Sequence, residues 1–252
     1  MRDDSRIPRF TGRLLSRAIR TEAVLLMIST PSVAKTRDIG KSDSWRVLPA
    51  AARVLYALEP AVAALSLTVL APFLAILAAI IYVASGAPPL IAHRRVGQFG
   101  RTLWVYKFRT MWSSQVQRRK STLLLERIIE EQPPSKSGAD PRVTSRFASF
   151  CRRHSIDELP QLALVAAGKM SLVGPRPVTR FELEEYYEAD VAEVLSFKPG
   201  LTGLWQVRGR SRLTYEQRKR FDLFLVRRFS LSLYLRILML TIPDLLFARN
   251  AW

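Results

Sequence analysis

The sequence contains few of the residues that build disulfides and zinc sites. Its 252 residues include one cysteine, Cys151, and two histidines, His93 and His154. A single cysteine excludes an intramolecular disulfide and is typical of a reducing compartment. Its simplest interpretation is a small buried hydrophobe. The histidines have no partner at the spacing of metal ligands, so both are interpreted as structural.

Acidic residues are scarce relative to basic ones. The chain has 21 Asp and Glu against 39 Lys and Arg, which gives a net charge of +18. Such an excess predicts an anionic partner, and the candidates are nucleic acid, an acidic membrane surface and phosphorylated substrates. Composition alone does not choose among these three. The length suffices for one catalytic domain plus extensions.

The N-terminus lacks the pattern of a secretory signal. The apolar run Ala23–Ile28 is too short for the hydrophobic region of a signal peptide. Residues 1–53 hold 11 Lys and Arg against 5 Asp and Glu. We therefore predict that residues 1–50 form a basic, flexible arm.

Charge is absent from one long stretch of the chain. Pro60–Ala84 comprises 25 residues without a charged side chain. As a straight helix it would measure roughly 37 Å at about 1.5 Å per residue, and the hydrocarbon core of a bilayer is about 30 Å thick. A membrane helix is therefore predicted within residues 51–86. Burial in a soluble core is a weaker alternative, because 25 uncharged residues are long for a core helix.

Two features favour a re-entrant segment over one that crosses the bilayer. Pro72 lies in the middle, where it removes a backbone hydrogen bond and predicts a break between two half-helices. Basic residues stand on both sides, including Arg53 and Arg94, and such flanks stay in the cytoplasm. A helix-break-helix hairpin keeps both flanks inside, whereas a span sends one outside. Proline also occurs in spanning helices, so the spanning alternative stays open.

The chain after this segment predicts a small β-hairpin. Leu90–Val96 and Thr102–Met111 have the composition of strands and are joined by a glycine-containing turn at residues 97–100. Side chains alternate along a strand, so Trp104, Tyr106 and Phe108 are expected on a packed face. Lys107 and Arg109 are then expected on a face that meets solvent or an anion. A helical stretch near Leu123–Glu131 is predicted within a variable surface loop.

The strongest candidate for chemistry is the pair Asp157-Glu158. Arg152 lies just upstream, and Pro160 fits an early helical position if Asp157 is the N-cap. The helix dipole and the nearby arginines would favour an ionised carboxylate, as a nucleophile or a metal ligand requires. Adjacent carboxylates can also share Mg²⁺ with substrate phosphates. The alternative is an aspartate that only caps a helix.

Two further features complete the pattern. Prolines on both sides hold Arg176 in a stiff loop, which suits bidentate phosphate binding. Trp205, in a glycine-rich stretch, is interpreted either as a stacking platform or as a core residue. Tyr215–Phe247 has the period of basic amphipathic helices, which often lie on anionic lipid surfaces.

Taken together, these segments resemble the bacterial sugar transferase family, the monotopic phosphoglycosyl transferases. The resemblance runs from about Arg53 to Ile242, and its motifs come in order after the apolar segment. The chain departs from the family pattern at Tyr234, where an Asp is usual. The motifs are Arg95-Val-Gly97, Lys107-Phe-Arg-Thr-Met111, Asp140-Pro-Arg142, Asp157-Glu-Leu-Pro-Gln-Leu162, Met170-Ser-Leu-Val-Gly-Pro-Arg-Pro177, Lys198-Pro-Gly-Leu-Thr-Gly203 and Gln206-Val-Arg-Gly-Arg210.

The resemblance implies a mainly helical α+β fold. A re-entrant membrane helix and a β-hairpin would accompany a cytoplasmic catalytic domain over residues 87–252 with interfacial amphipathic helices. It implies Mg²⁺-dependent transfer of a sugar-1-phosphate from a UDP-sugar to undecaprenyl phosphate at the bacterial inner membrane. Asp157 would be the nucleophile, and Glu158 would assist through the metal or as a base. The residues expected to bind the substrate phosphates are Lys107, Arg152, Arg176 and Arg210.

Other functions compete with this one. A non-catalytic membrane-surface scaffold is disfavoured by the intact Asp157-Glu158 pair. A nucleic-acid-binding protein fits the charge, but the segment Pro60–Ala84 speaks against it. The sugar and the oligomeric state, including a homodimer, stay open. Glucose or galactose is favoured on resemblance alone.

Overall fold

The computed structural model describes residues 48–111, 125–128, 145–209 and 213–247, except the side chains of Glu188 and Phe247. The arm predicted at residues 1–50 lies outside the described residues up to position 47. The helices and strands are α1 (Ala50–Ser85), β1 (Leu90–Val96), β2 (Thr102–Phe108), β3 (Leu125–Ile128), α2 (Arg146–Arg153), α3 (Leu162–Ala166), β4 (Ser171–Val173), α4 (Arg180–Glu182), α5 (Val191–Leu195), β5 (Gly200–Thr202), α6 (Leu204–Arg208), α7 (Tyr215–Arg227) and α8 (Leu231–Phe247). The described residues are mainly helical, as predicted, and they form two small sheets, one of which contains the predicted β-hairpin.

The apolar segment forms one long helix. It is the one helix among the described residues that is long and apolar enough to cross a membrane. α1 ends at Gly86, whose left-handed conformation lets its N–H donate to the Tyr82 carbonyl at 2.9 Å. The helix continues through Pro60 and Pro72, so the predicted separation into two half-helices is not met by the secondary structure. Thr68, whose carbonyl loses its N–H donor at Pro72, donates its hydroxyl to Ala64 at 3.0 Å.

α1 has two apolar faces with different surroundings. Its inner face packs on the rest of the domain at both ends, through Ala63 with β2 and α3 and through Ile81 with Phe108 and Cys151. Its outer face exposes large apolar side chains at helical spacing. The outer face consists of Val54, Leu58, Val62, Leu65, Val69, Phe73, Ile76, Ile80 and Val83.

A buried carboxylate fastens α1 to the domain. Glu59, 3% exposed, accepts hydrogen bonds at Oε1 from the Ser171 hydroxyl at 2.7 Å and the Leu172 amide at 3.0 Å. The Tyr234 hydroxyl donates to the same oxygen at 2.7 Å. One side chain therefore joins α1, β4 and α8, because buried polar groups require partners. Tyr234, unusual at its position, finds its role in this contact.

The predicted hairpin is present and gains a third strand. β1 pairs antiparallel with β2, and Gln98–Gly100 forms a 3₁₀ turn between them. β3 pairs parallel with β1, so the helical stretch predicted near Leu123–Glu131 is wrong for residues 125–128. Pairing with a sheet edge outweighs the helix preference of so short a segment. Glu126 contacts Arg109, and Arg127 stacks over Trp104 at 5.3 Å.

The faces of β2 differ from the expectation. Leu103 and Val105 are buried against α3, on the face that carries Lys107. Trp104 and Tyr106, expected on the packed face, are only half-buried, whereas Phe108 is buried as predicted. The sheet packs through its aliphatic side chains because this face meets α1 and α3. Lys107 thereby points toward the Ile156–Gln161 turn.

Glycines allow two loops to meet backbone to backbone. β4 and β5 pair in parallel, and the Gly200 amide donates to the Pro175 carbonyl at 2.9 Å. A Cβ added at Gly174 or Gly200 would collide with the other loop's backbone. The glycines of both motifs are thus explained by close approach of the chain to itself. The loop that carries Arg176 is held against the start of β5.

The C-terminal helices complete the core. α7 begins with a capping box in which Thr214 and Gln217 bond each other's backbone amides. α8 buries Tyr234 and Ile237 in a cluster with Leu225 and Phe229. Its opposite face exposes an apolar stripe at helical spacing. This stripe consists of Leu231, Leu235, Met239, Ile242, Leu245 and Leu246.

Candidate active site

The Asp157-Glu158 pair lies in a tight turn between two helices. α2 ends at Arg153, and a 3₁₀ turn over Ile156–Gln161 leads into α3. Ser155 joins them in the left-handed conformation, with φ 54° and ψ 24°. This conformation is uncommon for residues other than glycine and is frequent at functional turns. The prediction of Asp157 as the N-cap is wrong, because Ser155 holds that position and Asp157 lies inside the turn.

Two basic residues predicted for the site flank the carboxylates. Lys107 Nζ donates to Glu158 Oε1 at 2.6 Å across the gap between β2 and the turn. The positive charges of Lys107 and Arg152 both act on Asp157. Asp157 is buried, with 8% of its surface exposed. The fold therefore brings four of the predicted residues together: Lys107, Arg152, Asp157 and Glu158.

Burial dominates the electrostatics of Asp157. It raises the pKa of the Asp157 carboxyl to about 6, and the negative charge of Glu158 adds to this rise. The positive charges of Lys107 and Arg152 oppose it. The prediction that the ionised form of Asp157 would be favoured is therefore wrong. The cost of burying its charge exceeds the attraction of that charge to Lys107 and Arg152. Asp157 remains mainly ionised at neutral pH and loses its charge in mild acid.

The cysteine beside the pair is not a competing nucleophile. Cys151 is buried, and burial together with the charge of Asp157 raises the pKa of its thiol to about 11. A thiol that stays protonated is a poor nucleophile. The prediction of a small buried hydrophobe is confirmed by its packing against Leu77, Ile81 and Phe108.

Arg176 belongs to a second cluster. Its guanidinium lies 5.2 Å from the centre of the Trp205 ring and 3.9 Å from Glu182 Oε1. Arg218 lies over the same ring, also at 5.2 Å. Two guanidinium groups near one indole form a cationic surface with an aromatic component. Trp205 lies on α6, whose next two residues, Gln206 and Val207, line the cavity beside Glu158.

A fully buried aspartate supports this cluster. Asp222 accepts hydrogen bonds from the Arg176 backbone amide at 3.3 Å and from the Tyr187 hydroxyl at 2.9 Å. Burial raises the pKa of Asp222 to about 7, against the effect of these bonds and of Arg176 and Arg218. Asp222 thus fixes the backbone of the loop that presents Arg176.

Sequence reasoning missed the acidic and basic residues on the inner face of α7. Arg218 and Asp222 stand one helical turn apart, and both are buried. Arg218, Asp222 and Leu225 fall on the same face of the helix. Charged residues at apolar positions of an amphipathic pattern were therefore the signal in the sequence for this cluster. Two predicted features, Arg210 and the Asp140–Arg142 motif, lie outside the described residues.

The cavity adjoins Glu158. It has a volume of about 350 Å³ and lies between the Ile156–Gln161 turn, β5, α6 and α8. Its lining is almost wholly apolar surface. His154, whose Nδ1 donates to the Leu245 carbonyl at 2.6 Å, ties the end of α2 to α8 beside this cavity.

The arrangement suits phosphate chemistry. A buried carboxylate of raised pKa, a second carboxylate and flanking lysine and arginine can attack and neutralise a phosphoryl group. In the part of the chain that the structure describes, no three His, Cys, Asp or Glu side chains converge to hold a metal ion. Mg²⁺ commonly uses one or two carboxylates plus substrate phosphates, and Asp157 with Glu158 fits this smaller requirement. Such an arrangement of carboxylates and cations is typical of enzymes that act on phosphorylated substrates.

Comparison with known proteins gives the family. The model of the bacterial sugar transferase family matches residues 51–248. The chain therefore belongs to this family, and the resemblance seen in the motifs is confirmed.

Three relatives illustrate the match. The UDP-galactose-lipid carrier transferase of Erwinia amylovora is 43% identical over 192 residues, covering 72% of this chain and 38% of the relative. The exopolysaccharide production protein ExoY of Sinorhizobium fredii is 36% identical over 199 residues, covering 76% and 84%. The UDP-glucose:undecaprenyl-phosphate glucose-1-phosphate transferase of Xanthomonas campestris pv. campestris is 35% identical over 198 residues, covering 75% and 38%. The chain thus spans well under half of two relatives and most of the third.

Proposed function

We propose that this protein transfers a hexose-1-phosphate from a UDP-sugar to undecaprenyl phosphate, an initiating step of exopolysaccharide or related glycoconjugate assembly. The observation that carries the proposal is the pair of buried Asp157 and half-buried Glu158, flanked by Lys107 and Arg152 and adjoining an apolar cavity. The names of the relatives support the donor and the acceptor: two specify UDP-galactose or UDP-glucose, and one specifies undecaprenyl phosphate.

In the first step, an ionised Asp157 oxygen attacks the β-phosphorus of the UDP-sugar. A new bond forms between this oxygen and phosphorus, and the bond from phosphorus to the bridging oxygen breaks. UMP leaves with that oxygen, and the sugar phosphate stays on Asp157 as an acyl phosphate. Lys107 and Arg152 offset the charge at the transferring group, and Arg176 is assigned to the diphosphate.

In the second step, a phosphate oxygen of undecaprenyl phosphate attacks the same phosphorus. The bond to Asp157 breaks, the carboxylate is restored, and the sugar leaves on a lipid diphosphate. Asp157 and Glu158 are the residues that would hold Mg²⁺, which when bound would neutralise phosphate charge.

We further propose that α1 enters the bacterial inner membrane from the cytoplasmic face without crossing it. Its inner face packs on the domain at both ends, and its outer face is apolar throughout. A perpendicular span would draw the domain packed along it into the bilayer. The exposed stripe of α8 offers a second lipid contact, since burying each large apolar side chain is worth roughly 1.5–3 kcal/mol.

The topology is tested with two cysteine variants, Arg53→Cys and Arg94→Cys, each in a Cys151→Ser background. Both residues are exposed and stand on opposite sides of most of α1. A membrane-impermeant maleimide should label neither in intact spheroplasts and both after permeabilisation. Labelling of one alone in intact cells would establish a span and exclude the re-entrant proposal.

The reaction is tested with membranes that contain the protein, undecaprenyl phosphate, Mg²⁺ and UDP-glucose or UDP-galactose. UMP release is expected from the wild type and not from Asp157→Asn. Glu184→Gln, at an exposed residue that pairs with Arg180, is the matched control and should match the wild type. Equal release from Asp157→Asn would exclude this nucleophile. Absence of UMP release with these donors and with N-acetylated and deoxy UDP-sugars would favour a non-catalytic scaffold.

A further inference from the structure

We propose that the cavity between the Ile156–Gln161 turn and α8 binds the phosphate-proximal isoprene units of the lipid acceptor. The inference rests on the proposed function, because it assigns residues to the acceptor of that reaction. The hydrocarbon chain of the lipid reaches the cavity from the apolar stripe of α8.

The position of the cavity matches the chemistry. Glu158 is part of its wall and is bonded to Lys107 at 2.6 Å. A phosphate at this end would meet the lysine and lie beside Asp157, as the second step requires. The chain attached to the phosphate would then extend away from the charges into the cavity.

The walls are suited to hydrocarbon. Leu159, Leu172 and Leu201 form part of one side, and Leu238 of α8 forms part of another. Two hydroxyls of the lining are engaged by the protein: those of Thr202 and Thr241 are 2.9 Å apart, and Thr241 donates to the Ile237 carbonyl at 2.8 Å. Gln206 donates to the Leu201 carbonyl at 3.2 Å. The middle of the cavity therefore offers mainly hydrocarbon, and the carboxylates of Glu158 and Asp244 are the charged groups of its lining.

The cavity continues into the exposed stripe of α8. Ile242 and Leu245 line the cavity, yet they are 51% and 36% exposed. They belong to the row that includes Leu235, Met239 and Leu246. A side chain that borders both the interior and the surface marks an opening, and this opening is apolar. A lipid can thus reach Glu158 without leaving apolar surroundings.

The volume limits what enters. A cavity of about 350 Å³ lies at the lower end of the roughly 300–1,000 Å³ typical of small-ligand pockets. It accommodates the first few isoprene units and not a long polyprenyl chain. The remainder must run along the exposed stripe of α8 and into the bilayer. A short prenyl phosphate should therefore bind the cavity nearly as well as undecaprenyl phosphate.

The test fills the cavity from two sides. Leu238→Trp and Leu201→Phe each enlarge a half-buried lining residue. Leu65→Trp, on the outer face of α1, outside the lining and 68% exposed, is the matched control. Binding of radiolabelled geranyl phosphate and of undecaprenyl phosphate is measured in nanodiscs, beside stoichiometric UMP release without acceptor.

Both filling variants should bind either prenyl phosphate at least tenfold more weakly than the wild type. They should release UMP in a single turnover within about twofold of the wild type, which also shows that they fold. The control should match the wild type in both measurements. Unchanged binding in the filling variants would overturn the proposal. Loss of UMP release with unchanged prenyl phosphate binding would assign the cavity to the donor and also overturn it.

The binding measurement is independent of turnover. A wild type that binds prenyl phosphate but releases no UMP would refute the proposed reaction and leave the cavity assignment supported. The two failures are therefore distinguishable.

Discussion

Asp157 and Asp222 are two buried aspartates with raised pKa values in the same domain. Asp157 adjoins a charged cluster, and its neighbour Glu158 faces a cavity. Asp222 is 0% exposed and accepts hydrogen bonds from the Arg176 amide and the Tyr187 hydroxyl. Burial is the largest cause of the rise in both pKa values.

The difference lies in what surrounds the carboxylates. Asp157 has Glu158, which destabilises its charge, and Lys107 and Arg152, which stabilise it. Asp222 also has cations nearby, Arg176 and Arg218, but its oxygens accept hydrogen bonds that hold a loop. A buried carboxylate becomes a reactive group when it has access to a ligand, and a structural one when its oxygens are occupied by the protein.

The largest expected effect is the difference in turnover between a substitution of Asp157 and a substitution of Asp222. Asp157→Asn should lower turnover by at least about 10³-fold, because an amide cannot form the acyl phosphate. Asp222→Asn keeps an oxygen that can accept from Tyr187 or Arg176 and should retain turnover within about tenfold. UMP release in the presence of undecaprenyl phosphate measures both. Similar losses at the two positions would remove the distinction.

A second prediction concerns the cation that opposes the effect of burial on the pKa of Asp157. Lys107→Met removes the cation bonded to Glu158 and should lower turnover by roughly 10²-fold. It should also move the acidic limb of the pH–rate profile upward, since Lys107 lowers the pKa of Asp157. Arg180→Met, at an exposed residue, serves as the control. A loss of turnover without any shift of the limb would mean that Lys107 acts only on the substrate.

The pH dependence of wild-type turnover tests the raised pKa of Asp157. The attack requires ionised Asp157, whose pKa is about 6, so turnover should fall as pH drops through this value. The slope should approach about tenfold per pH unit, with the midpoint belonging to the Asp157-Glu158 pair. A profile that stays flat down to about pH 4.5 would contradict a buried nucleophile.

The smallest effect on turnover concerns Asp222, whose ionisation should be visible in stability instead. Its folded pKa of about 7 is above the ordinary 3.8, so the protonated form stabilises the fold. This contribution is fully present below about pH 4 and is lost as pH rises through 7, by a few kcal/mol at most. The Tm of the wild type relative to Asp222→Asn should therefore fall across this window. A constant difference would show that Asp222 does not titrate there.

Local patterns predicted much of this molecule. The alternation in residues 90–108 located the hairpin, and the uncharged stretch located most of α1. The residues themselves indicated Asp157 and Glu158, and the family resemblance added Lys107 and Arg152; the fold brings these four together.

The features that the sequence did not predict depend on distant partners. β3 is a strand because β1 offers an edge, and the N-cap is Ser155 because the turn must redirect the chain from α2 to the cavity. The buried state of Asp222 depends on Tyr187 and on Arg176, which lie far away in sequence. The pKa of Asp157 was misjudged because charge pattern reveals neighbours but not desolvation.

The two faces of α1 have a consequence for the order of events during synthesis. Every described strand and helix that covers its inner face, including the Ser171 and Tyr234 partners of Glu59, is C-terminal to it. When α1 leaves the ribosome, neither of its faces has a protein partner among the described residues. The inner face gains such partners later, whereas the outer face gains none. If α1 enters the membrane as proposed, lipid covers it first, and the rest of the domain assembles afterwards on a helix already in place. On that topology insertion precedes the folding of the domain, and Glu59 gains its donors only when Ser171 and Tyr234 have been synthesised.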